Sequence, residues 1–191
     1  MKNTAIVTGA SSGIGREISR VLVEMGYEVY GFGREFPEEE VYFHPIVCDL
    51  LNTPELERQI KEIRRRNDVS LLVNNAGVGY YGLHEEVNTH KIQRLVRTNL
   101  EVPMVLTNLL LRDLKKYSGT IINISSVTAQ LSNPHGCAYG ATKAGLSSFS
   151  RSLFDEVRKY GVRVVTIQPD MTKTDLYRNA DFAQGEEEAS Y

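Results

Sequence analysis

Short runs of β-branched and apolar residues recur at 4–8, 28–32, 42–47, 70–73, 120–124 and 162–167, and none alternates cleanly with polar residues. Strands covered on both faces read this way, because neither side meets water. Between them, apolar positions at helical spacing occupy 13–25, 53–66, 85–98, 101–116 and 138–160. The alternation predicts an α/β chain of strand–helix–strand units: a doubly wound parallel sheet of about six strands in three layers. The helix at 53 carries a start signal, since Thr53 can cap, Pro54 suits the first turn, and Glu55 and Glu57 complement the dipole. No repeat or linker divides the chain, so 1–191 reads as one domain. The acidic tail Glu186-Glu187-Glu188 follows a stretch without strand signal and is expected to be frayed or solvated.

Composition narrows the function classes. Residues AVILMFWYC make up 41% of the 191, enough for a sizeable core and too much for a disordered chain. Lys plus Arg number 22 against 24 Asp plus Glu, with no basic block longer than Arg64-Arg65-Arg66, so nucleic acid is not expected as a partner. No run approaches the length of a membrane span, and no signal peptide is read at the start. Two cysteines, Cys48 and Cys137, make neither a disulfide framework nor a thiolate metal site; a reducing, cytoplasmic location is expected. The histidines His44, His84, His90 and His135 have no metal-ligand spacing, and no metal is predicted.

The first chemistry lies in Thr8-Gly9-Ala10-Ser11-Ser12-Gly13-Ile14-Gly15, between the first strand and first helix. Gly9 permits a tight turn, Gly13 lets a pyrophosphate approach the backbone, and Gly15 lets helix and strand pack closely. The helix's unpaired N–H groups would hold the phosphates. Two other templates match less well. Gly9-Ala10-Ser11-Ser12-Gly13 fits the nucleophile elbow G-x-S-x-G, with Ser11 as nucleophile, but an elbow needs preceding strands and an upstream oxyanion loop. The phosphate loop G-x-x-x-x-G-K-[ST] fails for want of a Gly-Lys pair.

The spacing T-G-x-x-x-G-x-G, then Asn74-Asn75-Ala76-Gly77 after the fourth strand, Asn99 between two helices, Ser126 after the fifth strand, and Tyr139-Gly140-Ala141-Thr142-Lys143 opening a long helix, resembles the short-chain dehydrogenase/reductase family. The resemblance runs from Thr4 to about Thr174. It implies a single dinucleotide-binding (Rossmann) domain carrying cofactor and catalytic sites, and an NAD(P)-dependent oxidoreductase acting on a carbonyl or secondary alcohol. It also admits a non-catalytic NADP-binding regulatory protein of the same fold.

Tyr139 and Lys143, four apart, share one helix face. A phenol with pKa of about 10 is a poor base at neutral pH, and a nearby ammonium favours the phenolate. By resemblance Tyr139 is the general acid and base, Ser126 hydrogen-bonds the substrate oxygen, and Asn99 holds a helix bend and a water that links Lys143 to solvent. Ser125 competes with Ser126; the thirteen-residue spacing to Tyr139 favours Ser126, as does a strand that turns Ser125 to the opposite side.

The second strand ends Gly31-Phe32-Gly33-Arg34, without the acidic residue that would bind ribose hydroxyls in NAD. Arg34 suits a 2′-phosphate, and NADP(H) is expected over NAD(H). The cofactor set implied by the resemblance is Gly9, Ser11, Ser12, Gly13, Ile14, Gly15, Arg34, Asp49, Leu50, Asn75, Ala76, Gly77, Tyr139 and Lys143, then Pro169, Met171, Thr172 and Thr174. Asp170 departs from the family pattern, which has glycine there. Gly79, Tyr80, Tyr81, Leu131, Ser132 and His135 are expected near the substrate mouth. Apolar runs Val105-Leu106, Leu109-Leu110-Leu111 and Leu146, Phe149, Leu153 exceed what one sheet face needs, so a homodimer or homotetramer is expected. The family carries a further helix and strand after Thr174; here they are read as missing by truncation, with 175–191 a flexible tail or part of a substrate loop.

Overall fold

A computed structural model describes residues 3–36 and 42–170. Among these residues six strands form one parallel sheet: β1 (Thr4–Thr8), β2 (Glu28–Gly33), β3 (His44–Val47), β4 (Val69–Asn74), β5 (Thr120–Ile124) and β6 (Arg163–Ile167), in the order β3-β2-β1-β4-β5-β6. The helices are α1 (Gly13–Glu24), α2 (Thr53–Arg66), α3 (Thr89–Val96), α4 (Val102–Lys116) and α5 (Cys137–Val157). This is the doubly wound Rossmann arrangement. Strand order reverses between β1 and β4, and in such sheets the crevice at that reversal receives the ligand.

Alternation within β1 sorts the core into two layers. Ile6 points to one face, where it joins Leu56 and Ile60 of α2, Leu106, Leu110 and Leu114 of α4, and Leu153 of α5. Ala5 and Val7 point to the other, against Leu22 of α1. The second face is less covered among the described residues. Val165 and Ile167 of β6, in register with Ile122 and Ile124, remain 42% and 43% exposed.

Local departures from the predicted elements have local causes. The cap of α2 is Asn52, whose side chain accepts from Glu55 N at 3.4 Å, and Thr53 is the first helical residue. The helix expected from 85 starts at Thr89: Asn88 accepts from His90 N at 2.8 Å, and His84–Glu86 form a separate 3-10 turn. A π turn at Arg97–Glu101 joins α3 to α4, so Asn99 lies inside a widened helical turn. Leu106, Leu110, Leu146 and Leu153, counted towards a subunit contact from sequence, are buried in the chain's own core. That leaves a smaller apolar surplus: Met104 and Phe154 are exposed, and Val105, Leu109, Leu111 and Phe149 half-buried.

Candidate active site

The glycine turn is defined by what backbone alone can do. Gly9 and Gly13 have φ of +66° and +52°, the left-handed region that favours glycine. A Cβ on Gly15 would lie 2.2 Å from Gly9 O and 2.4 Å from Asn75 Nδ2, so α1 reaches the strand only because position 15 has no side chain. Asn75 ties the reversal point together. Its Nδ2 donates to Thr8 O (2.9 Å) and Gly9 O (3.3 Å), while Asn75 N and Ala76 N both donate to Thr8 Oγ1 at 3.0 Å. At the start of α1, Ser12 makes no side-chain cap, and the first turn holds no acidic residue. Its N–H groups, which have no partner within a helix, therefore face the cleft without a competing anion.

That cleft measures about 920 Å³ and runs along the carboxyl ends of the strands. Gly9, Ser11, Ser12, Gly13 and Ile14 line it, with Arg34, Asp49, Leu50, Asn75, Ala76, Gly77, Ser126, Tyr139, Lys143, Pro169 and Asp170. Gly15 lies behind the wall, as a packing residue. Arg34 is exposed at the cleft and, among the described residues, makes no ion pair. Asp49 Oδ1 accepts from Leu51 N at 3.0 Å, a local bond that shapes the loop after β3. Met171, Thr172 and Thr174 lie outside the described residues, as does the 175–191 segment.

At the other end of the cleft the polar groups are side chains, and they are buried. Lys143 sits one turn beyond Tyr139 on α5; its Nζ donates to Ile124 O at 2.8 Å and lies 5.7 Å from the Tyr139 ring centroid. Burial pulls the Lys143 amine down from its ordinary 10.5 to about 8. Ser126 Oγ accepts from Thr128 N (3.2 Å) and Thr128 Oγ1 (2.9 Å), leaving its own hydrogen to donate elsewhere. Ser125 turns the other way: its Oγ donates to Lys143 O at 3.0 Å and lies 2.8 Å from Ser147 Oγ. Asn99 Oδ1 accepts from Val78 N, and its Nδ2 donates to Val78 O, both at 2.9 Å, with Thr142 Oγ1 at 3.2 Å. A Cβ on Gly77 would come 3.4 Å from Asn99 Oδ1 and 3.6 Å from Lys143 Nζ, so the glycine leaves the space between them open.

Sequence reasoning missed three contributors. Thr128 fixes the Ser126 hydroxyl, Thr142 braces Asn99, and Arg94 lines the cleft with its Nε buried and without a hydrogen-bond partner. The threonines stand two residues after Ser126 and one before Lys143, close enough to have been weighed; Arg94 carries no motif. His135, Leu131 and Ser132 do not line the cleft, although Gly79 and Tyr80 do, and Tyr81 packs against Tyr139 with ring centroids 5.7 Å apart. Among the described residues, no group of three or more His, Cys, Asp or Glu side chains could hold a metal ion. The donor set fits a dinucleotide: backbone N–H groups in the middle, a guanidinium at one end, and a buried hydroxyl and ammonium at the other.

Comparison with known proteins agrees with this geometry. A family model described as short chain dehydrogenase matches residues 3–184. The chain is 34% identical to serine 3-dehydrogenase of Agrobacterium fabrum, over 92% of this chain and 74% of that protein. It is 32% identical to the NADPH-dependent 3-dehydrocapnine reductase of Ornithobacterium rhinotracheale, over 92% and 68%. Among solved structures it superposes on a short chain dehydrogenase from Burkholderia cenocepacia in complex with NADP, with TM-score 0.84 and 25% identity over 95% and 78% of the two chains.

Proposed function

The chain belongs to the short-chain dehydrogenase family of oxidoreductases, and from that premise we propose that it is an NADP-dependent enzyme that interconverts a carbonyl and a secondary alcohol, with Tyr139 as general acid and base. The observation that carries the reading is the convergence of Tyr139, Lys143 and Ser126 at one end of a cleft that has Arg34 at the other.

The nucleotide, when bound, supplies or accepts the hydride. The chain's own residues handle the proton and the developing charge. In reduction, Ser126 donates its remaining hydrogen to the substrate carbonyl oxygen, and Tyr139 transfers its phenolic proton to that oxygen as the hydroxyl forms. Lys143 spends one N–H on Ile124 O and keeps two for the Tyr139 side of the site, where its charge favours the phenolate left behind. Asn99, held by Val78, faces the opening left by Gly77 and is the route by which water reaches Lys143. In oxidation the same groups run in reverse.

Gly9, Ser11, Ser12, Gly13 and Ile14 hold the pyrophosphate, Arg34 the 2′-phosphate, and Asp49, Leu50, Asn75 and Ala76 the adenosine end, with Gly15 setting the approach of α1. Pro169, Met171, Thr172 and Thr174 complete the nicotinamide side. Arg34 and the NADPH dependence of the Ornithobacterium relative support NADP over NAD. A second copy of the chain pairs across α4 and α5, through Met104 and Phe154; light scattering at micromolar concentration should give a dimer or tetramer mass. No helix among the described residues is long and apolar enough to cross a membrane, and Cys48 and Cys137 are both free, as fits a cytoplasmic enzyme.

The test is a panel of aldehydes and ketones with NADPH, run on the wild type and Tyr139→Phe. Wild-type turnover that Tyr139→Phe lowers by about 1000-fold is expected. NADPH binding without Tyr139-dependent turnover would favour the non-catalytic reading instead.

A further inference from the structure

Among the described residues, Arg94 is the one cation at the cleft with a buried donor that has no hydrogen-bond partner. It occupies the last turn of α3, with Thr98 one turn further on, buried and lining the same cleft. Three residues after Arg94, Arg97 Nη2 donates to Leu51 O at 2.8 Å, which holds this end of α3 against the loop after β3. Asp49, Leu50 and Leu51 of that loop line the same cleft as Arg94. Strand order gives the cleft a direction. The glycine turn follows β1, and Tyr139, Lys143 and Ser126 gather beside β5, so the cleft's remaining arm runs towards β2 and β3, past Arg34 and Asp49.

Leaving a charged donor buried and unpaired opposes folding, whereas an apolar side chain of similar volume would not. Resting on the functional reading above, we propose that Arg94 is a binding residue for the purine base of the dinucleotide, its buried Nε–H donating to an acceptor nitrogen of the ring.

The test measures affinity rather than turnover. Dissociation constants are determined by fluorescence titration for NADPH and for reduced nicotinamide mononucleotide, which lacks the purine, on the wild type, Arg94→Met and Arg94→Lys, alongside melting temperatures without ligand. Arg94→Met should weaken NADPH by about tenfold, the worth of one hydrogen bond from a charged donor, and leave the mononucleotide within about twofold. Its melting temperature without ligand should equal or exceed that of the wild type. Arg94→Lys, which keeps the charge and loses the Nε–H, should bind NADPH as weakly as Arg94→Met. Unchanged NADPH affinity in Arg94→Met, or equal weakening of both ligands, would overturn the assignment while wild-type NADPH binding keeps the functional reading standing. A wild type that binds neither nucleotide would overturn both.

Discussion

The two ends of the cleft are built from different materials. Around β1 the functional groups are backbone: left-handed Gly9 and Gly13, a Gly15 with no room for a methyl group, and the uncapped first turn of α1. Around β5 they are buried side chains that hold one another: Lys143 on Ile124 O, Ser125 on Lys143 O, Ser126 on Thr128, Asn99 on Val78. The first end is therefore vulnerable to volume and the second to charge and hydrogen-bond loss. Substitutions at the two ends should separate along that line.

The largest effect is expected at Lys143. Replacing it with methionine should lower turnover by about 1000-fold, roughly 4 kcal/mol of transition-state stabilisation. The same change should stabilise the folded chain at pH 7. The buried amine titrates near 8 against an ordinary 10.5, so below pH 8 the native state carries a desolvated charge. That penalty is about 3 kcal/mol, and losing the bond to Ile124 O offsets about 1 kcal/mol of the gain. Between pH 8 and 10.5 the unfolded chain binds the proton and the native chain does not, so wild-type stability rises with pH there. The variant's advantage should accordingly shrink across that interval, which urea unfolding at pH 7, 8, 9 and 10 would read. An advantage that stays constant would mean that the Lys143 charge is already compensated in the folded state.

Next comes Gly15→Ala at the backbone end. A methyl 2.2 Å from Gly9 O must push α1 off β1, and the neighbour is backbone that cannot rotate away. About 3 kcal/mol of destabilisation is expected, with nucleotide affinity falling in step, because the same displacement moves the first-turn N–H groups. Calorimetry beside NADPH titration checks it; intact stability with lost affinity would break the comparison. Arg34→Ala is smaller again. It should weaken NADPH by about tenfold and leave NADH unchanged, since only a 2′-phosphate offers the guanidinium an anion. Equal effects on both cofactors would reduce Arg34 to a surface residue.

What was legible in the sequence follows the same division. The strands could be read because covered strands leave uninterrupted apolar runs, and the glycine turn because left-handed backbone leaves a residue signature. The four-residue spacing of Tyr139 and Lys143 puts them on one helix face, but these two and Ser126 stood out as a set only through the family resemblance. The structure brings these three to one cleft, while their roles remain the proposal that Tyr139→Phe and Lys143→Met examine. The start of α3 lies later than the apolar spacing suggests because the short polar Asn88 caps it, with His84–Glu86 in a separate 3-10 turn. The π turn around Asn99 had no signature, because a shift of one residue in helical bonding depends on what Val78 and Thr142 offer from elsewhere in the chain. Arg94 was invisible for a related reason. An arginine on a helix reads as solvated surface, and nothing in the local sequence marks one whose Nε the fold buries.

The smallest predicted effect tests whether the catalytic end is as interlocked as its hydrogen bonds suggest. Ser125 donates to the Lys143 carbonyl and lies beside Ser147, pinning α5 to the end of β5. Ser125→Ala removes that pin and leaves Ser147 Oγ, in a buried position, without its partner, which should destabilise the fold by about 1 to 2 kcal/mol. The Lys143 carbonyl keeps its helical bond, so the helix itself persists. If the pin sets the height of Lys143 against Ile124, turnover should fall several-fold with NADPH affinity unchanged, and Ser125→Thr should recover part of it by restoring the hydroxyl. Equal loss of stability without any change in turnover would instead make Ser125 a packing residue, with Lys143 held in place by its own bond to Ile124 O alone.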